Sequence, residues 1–483
     1  MRRFELYDTL GRERRSFQPI TPPKVGLFVC GLTPYAPAHI GHARVAVFFD
    51  VVARALARWG YRVFYIQNVT NLDDKIIERG GSTGTDPLVL ADRHFRAWTE
   101  SMDALGVRSV NYYPHATDYI PEIQGQVRAL IDRGLAYAAE GSVYYDVAKF
   151  PGYGRLSGQR TESLRPGTRP VVERGKRAPE DFALWKAAKP GEPSWESPWG
   201  PGRPGWHIED TAITVRLLGA RYDIHGAGAD LKFPHHEAEI AQAEGATGES
   251  PLVNFWMHVG LLTMGGQKMS KSLGNVYGLD EAIVTYGGEV LRFYYLNAQY
   301  RGPLDFVGGR TLEEARDAYA TLSGPARRIA AARGRAGDAR AGDELSPATF
   351  EAANAAVVAL DAQLADDFNT REAIAQLFTW GRTVGPFLGR LEALSSAALD
   401  ALEAPYRWGA EVLGLFGSPA PAVAESGPLA VLVDWTLAER KAARERGDFA
   451  HADRLRELLQ RAGIVVEDRG SETAWHLAPP GQP

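Results

Sequence analysis

The sequence predicts an α/β protein built on a doubly wound parallel sheet and followed by a largely helical C-terminal half. Three observations predict it. An aliphatic and aromatic run, Lys24-VGLFVC, leads through a glycine- and proline-containing loop into Gly41-HARVAVFFDVVARALARWG, which is apolar at helical spacing. A second run, Tyr61-RVFYIQNVT, follows at once, and strand, loop, helix, strand is a βαβ unit, which implies parallel pairing. From Arg310 onward the apolar residues recur almost throughout at helical spacing.

Taken in order, Lys24–Cys30 is expected to be a buried strand and Gly31–Pro37 a loop. Gly41 to Trp59 is expected to be a helix stopped by Gly60. In a doubly wound sheet the ligand crevice lies at the carboxyl ends of the strands, so Cys30, His39 and Thr70 are expected to gather there. Pro87–Leu105 and Ala116–Leu135 read as helices, and Ser142-VYYDV as a strand. Gly152–Pro204, dense in Gly, Pro, Lys and Trp, reads as an irregular insertion between two halves of the sheet. Tyr222 to Gly245 returns to strand, loop and helix, and Leu252-VNFWMHVGLLT reads as a last core strand region. Gly334–Gly342 and Gly417–Gly427 are expected linkers, and a compact tail, Trp435–His476, follows.

Composition narrows the class. The 483 residues are 45% hydrophobic and 23% charged, which fits a chain of two to four water-soluble domains. The net charge of −5 argues against a broadly basic nucleic-acid coat but leaves room for a local RNA-binding face. A single cysteine excludes an internal disulfide framework and fits a reducing cytoplasm. Neither a secretory signal nor a bilayer-spanning apolar run is expected.

Two motifs carry chemistry. His39-Ile-Gly-His42 opens a helix after a strand and a loop, where free N–H groups and the helix dipole attract phosphate. Gly41 would let a nucleotide approach the backbone, and His39 and His42 can donate to phosphate oxygens as charge develops. Alone, this stretch reads as a capped helix with incidental histidines. Lys268-Met-Ser-Lys-Ser272 lies in the glycine-flanked stretch GGQKMSKSLGN. Lys268 and Lys271, three apart, suit a departing pyrophosphate, because a lysine is a point charge that follows a moving phosphate. Alone, it reads as a solvated basic loop; the pair of motifs together points to nucleotide chemistry.

On these motifs the chain resembles the class I aminoacyl-tRNA synthetases, and among them the cysteinyl family. The resemblance runs through FVCGLTPYAPAHIGHAR, NVTNLDDKII, PGWHIEDTAI, DIHGAGADLKFPHHEAEIAQ and KMSKSLGN, and extends into the tail DFAHADRLRELLQRAGIVVEDRGSETAW. It implies a Rossmann-type catalytic domain at 1–118 and 205–265, split by a connective insertion at 119–204. It further implies a KMSKS loop and stem-contact region at 266–310, a helical bundle at 311–417 and a small anticodon-binding tail at 428–483. The implied activity is ATP-dependent activation of L-cysteine to cysteinyl-adenylate and transfer to the 3′ end of tRNA. ATP would arrive with Mg²⁺, and the protein would act in the cytoplasm as a monomer.

The resemblance also implies a zinc ion in the amino-acid pocket, carried over by position to Cys30, Asp210, His235 and Glu239. Such an ion has a physical reason. Serine differs from cysteine only by oxygen for sulfur, a difference that an apolar pocket separates weakly. A soft thiolate binds zinc far more readily than a hydroxyl does. His235 and Glu239 are four apart on one expected helix, so they face one way. This chain departs from the family at residue 210, where GWHIEDTAI carries Asp in place of the usual cysteine. A carboxylate can bind zinc and keeps the formal charge, but it is harder than a thiolate. Asp210 is read as a ligand, with a bystander as the alternative. A smaller departure is His42, where the family often has Asn.

The resemblance assigns Thr70, Trp206 and Asp230 to the carboxylate and amine of the substrate, and Gly226 and Gly228 to the adenosine. Singly, these residues read as a strand-end Thr, a core Trp, a capping Asp and ordinary glycines. In the tail, Arg440, Lys441, Arg444, Arg446, Arg454, Arg456 and Arg461 form a basic patch with interleaved acids. It reads either as a solvated helical face or as a phosphate contact for a tRNA anticodon stem, with Trp475 a candidate to stack on a base. Two rivals remain at this point. One is a paralogous ligase joining cysteine to an amino sugar, which lacks the anticodon-binding tail; the other is a non-catalytic RNA- or metal-binding paralogue.

Overall fold

The structure, a computed structural model, describes residues 1–159, 175–269, 276–336, 342–417, 428–461, 464–469 and 472–477. The chain divides into two compact units, Met1–Ser418 and Pro419–Pro483. The first opens with a short hairpin, β1 (Glu5–Asp8) and β2 (Glu13–Ser16). The expected βαβ unit follows as β3 (Lys24–Leu32), α1 (Ile40–Arg58) and β4 (Arg62–Val69). Helix α1 is buried almost all round, through Val47, Phe48, Phe49, Val51, Val52 and Leu56, which is why its sequence is so apolar. Helices α2 (Asp74–Thr83), α3 (Pro87–Ala104) and α4 (Ile120–Asp132) come next. The segment read as one helix from Ala116 instead begins with a 3₁₀ turn, Ala116–Tyr119, and the α-helix proper starts at Ile120 with Pro121 in its first turn.

The insertion is more regular than its composition suggests. Strands β5 (Ala136–Ala139), β6 (Ser142–Tyr145), β7 (Phe182–Ala187) and β8 (Gly202–Pro204) form one antiparallel sheet in that order. Thus Gly152–Pro204 is not wholly irregular. Its strands are short and Trp- and Pro-bearing, and their pairing is long-range, so no local periodicity marks them.

Helix α5 (Ile208–Leu217), strand β9 (Tyr222–Gly228), helix α6 (His235–Thr247) and strand β10 (Val253–Val259) complete the main sheet. Its order is β10-β9-β3-β4, parallel throughout. The direction of strand addition reverses between β3 and β9, which is where such sheets form a ligand crevice. Glycine is needed at 226, where a Cβ would lie 2.2 Å from the Phe49 ring, so Gly226 lets α1 close onto the sheet. That packing explains Gly226 without a nucleotide.

The expected single strand region Leu252–Thr263 divides at Gly260. A Cβ there would lie 2.0 Å from the Gly302 carbonyl oxygen, and β11 (Leu262–Met264) leaves for a small sheet with β12 (Gln267–Lys268) and β13 (Leu304–Asp305). Buried Arg44 of α1 ties the split together, donating to the carbonyls of Gly260 (2.6 Å), Leu261 (3.1 Å) and Gly302 (2.8 Å). Helices α7 (Leu279–Tyr286), α8 (Gly288–Leu296), α9 (Gly309–Ala336), α10 (Pro347–Ala365), α11 (Thr370–Val384) and α12 (Ser396–Trp408) then extend the apolar core continuously from Leu27 in the sheet to Leu413.

The second unit holds α13 (Pro428–Glu445), α14 (Phe449–Arg461) and an antiparallel pair, β14 (Ile464–Arg469) and β15 (Glu472–Leu477), around Val433, Leu459 and Ile464. Arg440 is buried there, so it leaves the basic face read from the sequence; Lys441, Arg444, Arg446, Arg454 and Arg456 are exposed. The side chains of Arg461 and Trp475 lie outside the described residues. No helix among the described residues is long and apolar enough to cross a membrane.

Candidate active site and metal centre

Three elements converge beneath the switch point. Cys30 lies near the carboxyl end of β3, Asp210 in the first turn of α5, and His235 and Glu239 one turn apart at the start of α6. Their sulfur, carboxylate and imidazole atoms all lie within 4.8 Å of one another. His235 Nε2 is 3.0 Å from Asp210 Oδ2 and 2.9 Å from Glu239 Oε1. Cys30 Sγ is 3.6 Å from Asp210 Oδ2 and 3.9 Å from Glu239 Oε1. The geometry therefore gathers all four residues that the resemblance named.

It also gathers two that the sequence reading missed. His225 Nε2 and His236 Nε2 approach Cys30 Sγ at 3.3 and 3.2 Å, and Cys30, His225, His236 and Glu239 form a second set within 4.8 Å. Their Nδ1 atoms are engaged behind the site, His225 with the Tyr222 hydroxyl (2.6 Å) and His236 with His258 Nε2 (2.8 Å). Their signal was present in DIHG and in the doubled histidine of PHHE, but only the strand order shows that both reach Cys30.

The electrostatics suit a cation. Burial pushes the Cys30 thiol well up, and the Glu239 and Asp210 carboxylates push it further. Burial raises Glu239 to about 8, against the pull of His235. At His235 burial opposes the charge, yet Glu239 and Asp210 raise it to about 10. Among the described residues, the ion pairs of Asp210 and Glu239 are made with histidines alone, and Glu239 Oε2 accepts no hydrogen bond. One sulfur, one imidazole nitrogen and two carboxylates, buried and poorly compensated, match the donor chemistry of zinc.

The residues around the cluster differ in exposure. Thr70 is buried just beyond β4, and its backbone N–H donates to Leu32 O (3.1 Å). Trp206 is not a core residue: it is 38% exposed, and its ring stacks on His235 with centroids 4.4 Å apart. Asp230 is exposed in the 3₁₀ turn after β9, and a Cβ on Gly228 would lie 2.7 Å from its Oδ1. Glu209, another residue the sequence reading passed over, is fully buried. Burial drives its carboxyl well up, with Asp210 adding and the Thr70 hydroxyl opposing.

At the start of α1, His39 is the N-cap. Its Nδ1 accepts from the Gly41 N–H (3.2 Å), while His42 Nδ1 accepts from the His39 N–H (3.2 Å), and the two rings stack at 3.7 Å. Those contacts fix both tautomers with the proton on Nε2. The same turn meets both flanks of the lysine motif. Ile40 N–H donates to Tyr277 O (3.1 Å), Leu279 N–H to Ala38 O (3.1 Å), and Gly41 packs near Leu262. Lys268 ends β12, paired with Thr263; its side chain and the whole of Lys271 lie outside the described residues.

Fold and site together define a class I aminoacyl-tRNA synthetase. Residues 16–317 match the family described as tRNA synthetases class I (C) catalytic domain, and residues 359–417 match the DALR domain. Solved structures agree at the level of fold. Methionyl-tRNA synthetase of Mycobacterium tuberculosis aligns with TM-score 0.59 at 14% identity, covering 89% of this chain and 96% of that one. A putative arginyl-tRNA synthetase of Campylobacter jejuni aligns with TM-score 0.54 at 14% identity, covering 81% and 93%. More specifically, residues 433–475 match the cysteinyl-tRNA ligase anticodon binding domain. Cysteine–tRNA ligase of Laribacter hongkongensis is 44% identical over 489 residues, covering 98% of this chain and 99% of its own. That of Thermoplasma acidophilum is 42% identical over 470 residues, covering 97% and 99%. The chain belongs to the cysteine–tRNA ligase family. It is a ligase that activates L-cysteine with ATP and transfers it to tRNA, and the matching tail sets aside the amino-sugar ligase.

Proposed function

We propose that this ligase selects cysteine with a zinc ion held by Cys30, Asp210, His235 and Glu239. The observation that carries the reading is the convergence of those four buried donors within 4.8 Å at the switch point. The half-exposed Trp206 ring on His235 supports this set over the one through His225 and His236. It is partly exposed, whereas His225 and His236 are fully buried. Zinc, when bound, supplies a soft Lewis acid that takes a substrate thiolate and disfavours a hydroxyl.

The chain's own residues do the rest. Thr70 and Trp206 donate to the substrate carboxylate and Asp230 accepts from its ammonium. The carboxylate attacks the α-phosphorus of ATP, and the bond to the bridging oxygen of pyrophosphate breaks. His39 and His42 donate from Nε2 to the phosphates, beside Gly41 and the N-terminus of α1. Gly228 borders the adenosine, with Gly226 behind it. Lys268 and Lys271 neutralise the departing pyrophosphate together with Mg²⁺. A terminal ribose hydroxyl of the tRNA then attacks the cysteinyl carbonyl and releases AMP.

We assign catalysis to 1–118 and 205–265, with 119–204 as connective insertion, 266–310 as the lysine loop and stem contact, 311–417 as bundle and 428–483 as the anticodon-binding tail. The protein acts as a cytoplasmic monomer. Zinc analysis of purified variants tests the centre. About one zinc per chain is expected, lost together with cysteine-dependent pyrophosphate exchange in His235→Ala. Loss in His236→Ala with retention in His235→Ala would move the metal to the second set.

A further inference from the structure

We infer that Asn68 is a positioning residue that presents Asp210 to the metal through a single oxygen. The inference rests on the reading of Asp210 as a ligand. Asn68, near the end of β4, is 3% exposed, and its side chain spans the two halves of the site. Its Oδ1 accepts the backbone N–H of Gly31, the neighbour of Cys30, at 2.6 Å. A backbone N–H can only donate, so this contact fixes the amide and turns Nδ2 away from it. Nδ2 donates to Asp210 Oδ1 at 2.5 Å. Asp210 Oδ2, the other oxygen, is the one that faces His235 Nε2 (3.0 Å) and Cys30 Sγ (3.6 Å).

A carboxylate offers two oxygens, and a small ion can take one or both. The amide removes that choice by holding Oδ1. Because it is neutral, it orients the carboxylate without cancelling the charge that binds the cation; a lysine or arginine in its place would compete with the metal. Gly31 makes the arrangement accessible: a Cβ there would lie 1.7 Å from the Asn68 carbonyl oxygen, so only glycine lets β3 and β4 approach this closely. A thiolate at position 210 has one donor atom and needs no such selection. The role of Asn68 is therefore tied to the carboxylate at position 210.

Asn68→Asp removes the donor, and the Asp210→Cys background controls for the charge it adds. The substitution keeps an oxygen for the Gly31 N–H and removes the N–H that reaches Asp210. Zinc affinity is measured by competition with a chromophoric chelator in wild type, Asn68→Asp, Asp210→Ala, Asp210→Cys and the Asn68→Asp/Asp210→Cys double variant, each confirmed folded by its melting curve. Asn68→Asp is expected to lose roughly 10–100-fold in zinc affinity, the scale of losing an outer hydrogen bond to a ligand. The same change in the Asp210→Cys background is expected to cost nothing. Equal losses in both backgrounds, as a general charge or packing effect would produce, overturn the inference. Loss of zinc in Asp210→Ala with full affinity in Asn68→Asp overturns the role of Asn68 alone. Full affinity in Asp210→Ala overturns the ligand assignment itself, and the role of Asn68 with it.

Discussion

Two buried ionic clusters in the first unit make opposite use of charge. At Asp50, on α1, the carboxylate is fully buried yet surrounded by donors. Arg54 Nε lies at 2.8 Å, Ser109 Oγ at 2.6 Å, the N–H groups of Arg108 and Ser109 at 3.0 and 3.1 Å, and the Arg292 guanidinium closes the set. Burial works against ionisation there, but Arg292 and Arg54 hold Asp50 down at about 2. At Cys30, Asp210 and Glu239 no guanidinium or ammonium is paired among the described residues, and burial drives the thiol and Glu239 upward. One cluster is neutralised by the protein and is structural. The other gathers donors that could hold a metal ion, as proposed above. Buried charge alone does not mark a functional site; a buried cluster of metal-ligating donors whose ionic partners are histidines is the better candidate.

The Asp50 cluster is not free of cost. Burial draws Arg292 below the usual arginine value even beside Asp50, so its desolvation is not fully offset. Arg292 stays charged and also donates to the carbonyls of Leu105 (3.1 Å) and Leu413. It thereby ties α1 and α8 to the end of the helical bundle.

Breaking one partner of the closed cluster should have the largest effect. Asp50→Ala should cost about 3–5 kcal/mol, because it strands Arg292 without a counter-ion. Urea unfolding measures this, and the folded fraction should keep its zinc. A loss below about 1 kcal/mol would show that the closed cluster does not behave as a buried pair.

Next comes the open cluster. Removing zinc with a chelator, or substituting Cys30→Ala, should lower cysteine-dependent pyrophosphate exchange by at least roughly 100-fold, beyond most outer-shell changes. The Asp50 network should be untouched, as the unfolding midpoint of the metal-free Cys30→Ala protein would report. If chelation left exchange and serine rejection intact, the contrast between the clusters would fail.

The pH dependence of the closed cluster is smaller and has a definite sign. The folded value of Asp50 lies below the unfolded value of 3.8, so the group binds fewer protons when folded. Its stabilisation, about 2 kcal/mol, is fully present above pH 4 and fades as pH falls through about 2. The stability difference between wild type and Asp50→Asn should therefore be flat from pH 7 to pH 5 and shrink in acid. A difference that grew in acid would reverse the assignment.

The smallest effect calibrates the others. Arg96 and Asp92 pair at 3.0 Å on an exposed helix face, with side chains 74% and 49% accessible. Arg96→Ala should change stability by less than about 1 kcal/mol and leave zinc content alone.

Much of this was legible from residue order. The apolar runs of β3, α1 and β4 declare their periods locally, since the pleat and the helical turn repeat within a few residues. The fragments around Cys30, His39, Asp210, His235 and Lys268 carried the family resemblance because each is a contiguous stretch of chain. Reading order alone could not show that Gly226 serves helix packing against Phe49, or that β7 and β8 build a sheet from a Trp- and Pro-rich segment. It could not show that Arg440 turns inward. Nor could it place His225 and His236 against Cys30, Asn68 against Asp210, or Asp50 against Arg292, 242 positions away. Local pattern fixes which face of an element is apolar. Which buried polar groups meet depends on strand order, register and helix placement, and only the assembled tertiary structure decides whether a buried carboxylate meets a guanidinium, as Asp50 does, or histidines and a thiol, as Asp210 does.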